Sequence, residues 1–167
     1  TALTEDLQGN LYFLDLNGIR KISKQGVVST IYRTPSNLMG LGYYNQRLYF
    51  LENTNLSSID LNGSIQQIAN VSITGDYAVG LANCLAVDKQ GNIYIVMYRN
   101  GDYATKYIRK YEQSGTFKNL SILYSNNSDV KIALDQNDNL IVAASGQIRR
   151  FPSDNLTSGT VIGSYFG

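Results

Sequence analysis

The stretch Leu85-Ala-Val-Asp-Lys-Gln-Gly-Asn-Ile-Tyr-Ile-Val96 constrains the chain most. A short apolar run meets a four-residue polar turn, and a second apolar run follows. Leu85, Val87, Ile93, Ile95 and Val96 suit a pleated, buried surface. Asp88 can hydrogen-bond the backbone two residues on, and Gly91 supplies a positive φ without steric cost. The break at Gly91 and the β-branched content exclude a helix, so the stretch is a β-hairpin.

The pattern recurs at Leu3–Phe13 and at Ile132–Val142, where Asp138 takes the place of Gly91. Leu41–Phe50 is a degenerate copy with a shorter turn. With Leu11, Leu48, Ile93 and Leu140 taken as equivalent, the spacings are 37, 45 and 47 residues. A period of about 40–50 residues with four strands per unit predicts propeller blades. The fold class is therefore all-β, with four four-stranded antiparallel blades over about 1–35, 36–76, 77–126 and 127–167. Turns at Asn17-Gly18, Asn62-Gly63, Asn100-Gly101, Ser114-Gly115 and Ser145-Gly146 separate the later strands. No apolar stripe of helical period comes with a cap and a stop signal.

Composition narrows the function classes. With 14 basic and 13 acidic residues, the chain offers no electrostatic reason to expect nucleic acid as a partner. No apolar run is long enough for a membrane span, so no membrane insertion is expected. Cys84 is the only cysteine, which leaves no intrachain disulfide and reads as a buried structural thiol. There is no histidine, which removes the commonest general base and the commonest metal ligand. No nucleophile motif, phosphate loop or dinucleotide fingerprint is present, and no cofactor is expected.

Together these residues resemble NHL repeats and, more loosely, the SMP-30/gluconolactonase and TolB-like six-bladed propellers. The matching motif is an apolar-Ala-apolar-Asp run, a Gly-Asn turn, an apolar-Tyr-apolar strand and an Ile-Arg-Lys-aromatic strand. Leu85–Val96 with Ile108-Arg-Lys-Tyr111 carries it best. Gly9–Asp15 with Ile19-Arg-Lys-Ile22 also carries it, as does Ile132–Asp135 with Ile148-Arg-Arg-Phe151 in part. The resemblance implies a propeller that usually has about six blades, whereas four are counted here. Blade faces left uncovered would expose apolar surface and strand edges. A piece of a longer propeller, or an assembly of chains, is expected over a free four-bladed monomer.

Three features are candidates for function. Asn55, Asn62, Asn70, Asn119, Asn126 and Asn155 each begin a glycosylation sequon, where roughly two or three are expected by chance. The excess points to an extracellular or cell-surface glycoprotein; turn chemistry rich in Asn and Ser produces the same triplets. The long hairpin Met97–Tyr111 interleaves Tyr98, Arg99, Tyr103 and Tyr107 with further cations. These residues are candidates for stacking on a protein or glycan surface, against the plainer reading of an outer strand with ordinary alternation. Asp6, Asp15, Glu52, Asp88 and Asp135 stand at strand ends. The resemblance to calcium-dependent lactonases offers them as hub ligands, but repeat equivalence favours Asp6, Asp88 and Asp135 as turn residues. The expected function is a non-catalytic recognition or assembly scaffold with a protein partner or self-association. A hydrolase or lactonase with a hub metal, and a glycosylated subunit of an extracellular polymer, are the alternatives.

Overall fold

The computed structural model describes residues 2–72, 77–78, 84–99, 101–124, 130–153 and 157–165; at 77–78, 103–104 and 121–124 it describes the backbone alone. All regular structure among them is β. The first blade is β1 (Leu3–Glu5), β2 (Leu11–Asp15), β3 (Gly18–Ile22) and β4 (Val28–Arg33). The second is β5 (Leu38–Tyr44), β6 (Arg47–Glu52), β7 (Asn55–Asp60) and β8 (Ile65–Asn70). A two-residue strand, β9 (Tyr77–Ala78), precedes the third blade. That blade is β10 (Leu85–Val87), β11 (Ile93–Arg99), β12 (Asp102–Tyr111) and β13 (Phe117–Tyr124). The fourth is β14 (Lys131–Leu134), β15 (Leu140–Ala144), β16 (Gln147–Phe151) and β17 (Thr160–Ser164).

Each blade is an antiparallel meander with its strands in chain order. The repeat equivalence read from the sequence holds at the level of hydrogen bonds. The N–H of Asp6, Asp88 and Asp135 each reach the carbonyl of the Asn four residues on, at 3.0 Å in all three blades. Asp138 takes a φ of 59° where Gly91 takes 78° and Gly9 takes 81°. Asp tolerates this left-handed conformation better than most side chains, which explains the exchange. In the second blade Asn45 and Gln46, at φ 46° and 59°, close a two-residue hairpin of the mirror-image type. The pairing of β9 with Met97 and Tyr98 of β11 has no counterpart in the sequence pattern, because two residues carry no readable period.

The inner strands lie side by side in chain order, β1 against β5, β5 against β10 and β10 against β14. Any packing of β14 against β1 is weaker than these three. Side chains alternate across each blade, so one set faces the preceding blade and the other the following one. Between the first two blades Tyr12, Leu14 and Ile19 meet Leu41, Leu48, Phe50 and Ile59. The second core runs from Leu51 and Leu56 through the third blade to Ile132, Leu140, Val142 and Phe151 of the fourth. The chain is thus a four-bladed β-propeller arrangement held by face-to-face burial.

Candidate functional site

The four inner strands converge on a central cavity of about 410 Å³. Leu3, Leu41, Leu85 and Ile132 line it at equivalent positions, with Thr4, Gly42 and Ala133 beside them. Aliphatic residues make up most of the wall, and Thr4 and Tyr43 are its polar side chains. A second hollow, about 450 Å³, lies on the rim made by the turns that follow β1, β5 and β10, between Leu7, Tyr43, Tyr44 and Lys89.

Asp6 and Asp88 occupy two of those turns, and Asp135 the equivalent turn after β14. The N–H groups of Gln90 and Asn92 donate to Asp88 Oδ1 at 3.0 and 2.8 Å. Asn92 Nδ2 and the Tyr94 hydroxyl donate to Oδ2 at 2.8 and 3.2 Å. Asp6 accepts the same four bonds from Gln8, Asn10 and Tyr12 at 2.7–2.9 Å. Asp135 accepts from Asn137 and Asn139, and Arg150 stands at 3.2 Å where the tyrosine hydroxyl sits in the other two. Asp15 pairs with Arg20, and Glu52 accepts from Tyr32 and Thr34 of the blade before it. Among the described residues no three of His, Cys, Asp and Glu gather as a metal site requires. A hub cation, which needs several convergent oxygens, does not fit carboxylates spent one by one on separate turns.

These bonds set the pH response. Burial alone raises the Asp6 carboxyl. The bonds from Asn10, Tyr12 and Gln8 together outweigh that and hold it below the usual carboxylate value. Burial raises the Tyr12 and Tyr94 hydroxyls, and the carboxylates of Asp6 and Asp88 raise them further. A lowered folded carboxylate contributes stability above the unfolded carboxylate value and loses it as pH falls through the folded one. A raised tyrosine contributes stability below its unfolded value and loses it as pH rises toward the folded one. The melting temperature is therefore expected to be flat in between, to fall in acid below about 4 and to fall in alkali above about 10. Replacing Tyr12 or Tyr94 by Phe should flatten the alkaline limb in a thermal melt series; an unchanged limb would refute the assignment.

The three candidate residues of the long hairpin whose side chains are described do not share one surface. Arg99 is exposed, Tyr98 is half-buried, and Tyr107 is buried at 5% exposure. The Tyr107 hydroxyl accepts from Arg109 Nη2 at 2.9 Å, and Arg109 is itself only 2% exposed. The Tyr103 side chain lies outside the described residues, as do Asn126 and Asn155. Asn62 is exposed on its turn. Asn55 is half-buried. Asn70 holds Ser72 through its Oδ1, and the Asn119 Oδ1 accepts from Arg109 Nε at 3.0 Å.

Among the described residues, apolar positions are left uncovered at the two ends of the blade series. Four equivalent positions face the preceding blade. Leu41, Leu85 and Ile132 are at most 5% exposed, but Leu3 is 60% exposed. Leu48, Ile93 and Leu140 are buried, as are Phe50, Ile95 and Val142, and Ile59, Tyr111 and Phe151; their counterparts Leu11, Phe13 and Ile22 are only half-buried. The opposite face repeats this at the fourth blade. Leu14, Leu51 and Val96 are buried where Ala143 is not, and Ile19, Leu56 and Ile108 are buried where Ile148 is not. No feature of one blade read alone separates these covered and uncovered residues.

No known family profile matches the chain, and no curated protein matches it. Solved structures do. A streptogramin B lyase superposes with a TM-score of 0.62 at 17% identity, over 96% of this chain and 52% of its own. A catalytically inactive virginiamycin B lyase from Staphylococcus aureus, solved with quinupristin, gives 0.64 at 18% identity, over 98% and 54%. A gluconolactonase from Xanthomonas campestris gives 0.59 at 12% identity, over 99% and 76%. The likeness is one of fold: a β-propeller. The chain spans about half the length of the two lyases.

Proposed function

We propose that this chain is a non-catalytic recognition or assembly scaffold of the NHL kind, working through its blade faces and rims. The observation that carries this reading is the pair of apolar end faces, whose equivalents inside the series are all covered. Such surface on a folded protein marks an interaction site. The cavity lining supports it, because among the described residues it carries no carboxylate, lysine, arginine or cysteine. The inactive lyase carries a substitution of one histidine, a residue type this chain lacks.

The test is a thermal melt with and without millimolar calcium, and with a chelator. A hub cation at a hundredfold its dissociation constant would stabilise the fold by about 2.7 kcal/mol. That corresponds to a rise of several degrees, roughly 2–4 °C per kcal/mol at this size. No shift is expected. A calcium-dependent rise reversed by chelator would overturn the reading in favour of a metal-dependent hydrolase.

A further inference from the structure

We propose that the two end faces are complementary to each other, and that a second copy of this chain docks its first blade onto the fourth blade of the first copy. The proposal rests on the scaffold reading and names its partner. The uncovered face of the first blade is of the kind that meets a preceding blade, and that of the fourth is of the kind that meets a following one. Leu3, Leu11, Phe13 and Ile22 stand where Leu41, Leu48, Phe50 and Ile59 pack on the first blade. Ile141, Ala143 and Ile148 stand where Tyr12, Leu14 and Ile19 receive them. A head-to-tail contact between copies continues the internal interface by one more step.

Polar groups are in register for the same step. Inside the chain, Arg109 Nη1 of the third blade donates to the Val71 carbonyl, at the end of the second blade, at 3.3 Å. Arg20 is the equivalent of Arg109. Its Nη1 stands 3.6 Å from Asp15, and its Nε is buried without a hydrogen-bond partner, where the Nε of Arg109 meets Asn119 within the blade. The equivalent of Val71 in the fourth blade is Tyr165. Each donates its N–H to the carbonyl of the residue just before the third strand of its blade, Thr54 for Val71 and Gly146 for Tyr165. Arg20 of a second copy therefore meets the Tyr165 carbonyl as Arg109 meets that of Val71. Glu52 likewise accepts from Tyr32 and from Thr34, the first-blade equivalent of Tyr165. Asp15 holds the Glu52 position in the first blade, and Tyr165 is 39% exposed. The Tyr165 hydroxyl and Asp15 thus face each other across the docked blades.

A contact between unlike faces closes into a ring or runs on as an open chain, according to the rotation it imposes.

The experiment is sedimentation velocity over micromolar to hundreds of micromolar protein. Two variants at exposed positions each block one face, Leu3→Arg on the first blade and Ala133→Arg on the fourth. The wild type is expected to associate and each variant alone to remain monomeric. An equimolar mixture of the two variants should form a dimer, because one intact face of each kind remains between them. Circular dichroism of each variant checks that it is folded. A wild type that associates while the mixture stays monomeric would overturn the unlike-face geometry. A wild type monomeric throughout would overturn the proposal and assign the faces to another polypeptide or to further blades of a longer one. That outcome leaves the calcium test of the scaffold reading untouched.

Discussion

Gly40→Ala is expected to lower stability by about 3 kcal/mol, from a steric clash and backbone strain acting together. Gly40 sits in β5 at a φ of 58°, where an L side chain is already strained. A Cβ placed there lies 2.6 Å from the Leu85 Cβ, 3.2 Å from Cys84 Sγ and 3.3 Å from the Leu85 backbone nitrogen. The Leu85 Cβ and nitrogen are fixed to the backbone and Cys84 is buried, so β5 and β10 must separate. The strands in question join the second blade to the third at the cavity wall, and separating them opens a core that is otherwise closely packed. Two controls divide the effect. Gly63, at φ 94° on an open turn where an added Cβ meets nothing within 4 Å, should lose about 1 kcal/mol from strain alone on replacement by Ala. Gly42 has no such φ, and a Cβ there meets the Val87 and Leu85 side-chain tips at 2.6 and 3.1 Å. Gly42→Ala should fall between the two. Urea midpoints measure all three; equal losses at positions 40 and 63 would show that the inner strands do not approach as described.

Asp88→Ala is expected to cost about 3 kcal/mol, and Asp135→Ala clearly less, although the two residues hold the same position in their repeats. Asp88 is 3% exposed, and removing it leaves two turn N–H groups and the buried Tyr94 hydroxyl without their acceptor. Asp135 lies at a more open turn. Ile141 stands in place of the tyrosine, so no buried hydroxyl is orphaned, and the exposed Arg150 it releases is rehydrated. Asp6→Ala should resemble Asp88→Ala, because Tyr12 is fully buried on Asp6. The double variant Asp88→Ala with Tyr94→Phe should recover part of the loss, since it removes the orphaned donor. Equal costs at Asp88 and Asp135, in urea or thermal melts, would show that the tyrosine hydroxyl contributes nothing.

Much of the architecture is legible residue by residue. The Asp-x-x-Gly-Asn turns are readable because a side chain that bonds its own backbone is a local device. The strands are readable because alternation has a fixed period of two. The candidate site is less so. Tyr107 and Arg109 look like surface residues in a run of tyrosines and cations, yet both are buried, because Arg109 reaches the end of the preceding blade at Val71. The Ile-Arg-Lys triplets at 19–21 and 108–110 already align Arg20 with Arg109. Their meaning appears only when one guanidinium is seen with a blade before it and the other without. Gly40 and Gly42 carry no signal in the sequence for the same reason, since their closest neighbours lie more than forty residues away.

By itself the sequence determined the four-unit repeat, its strands and its turns, since each depends on interactions within a few residues or between adjacent strands. Only the tertiary structure decided which face of each blade is covered, and that the first and last blades keep apolar faces of opposite kind. Burial belongs to the pair of surfaces in contact: Phe13 and Phe50 are the same residue type at the same repeat position, and only Phe50 has a blade packed against it.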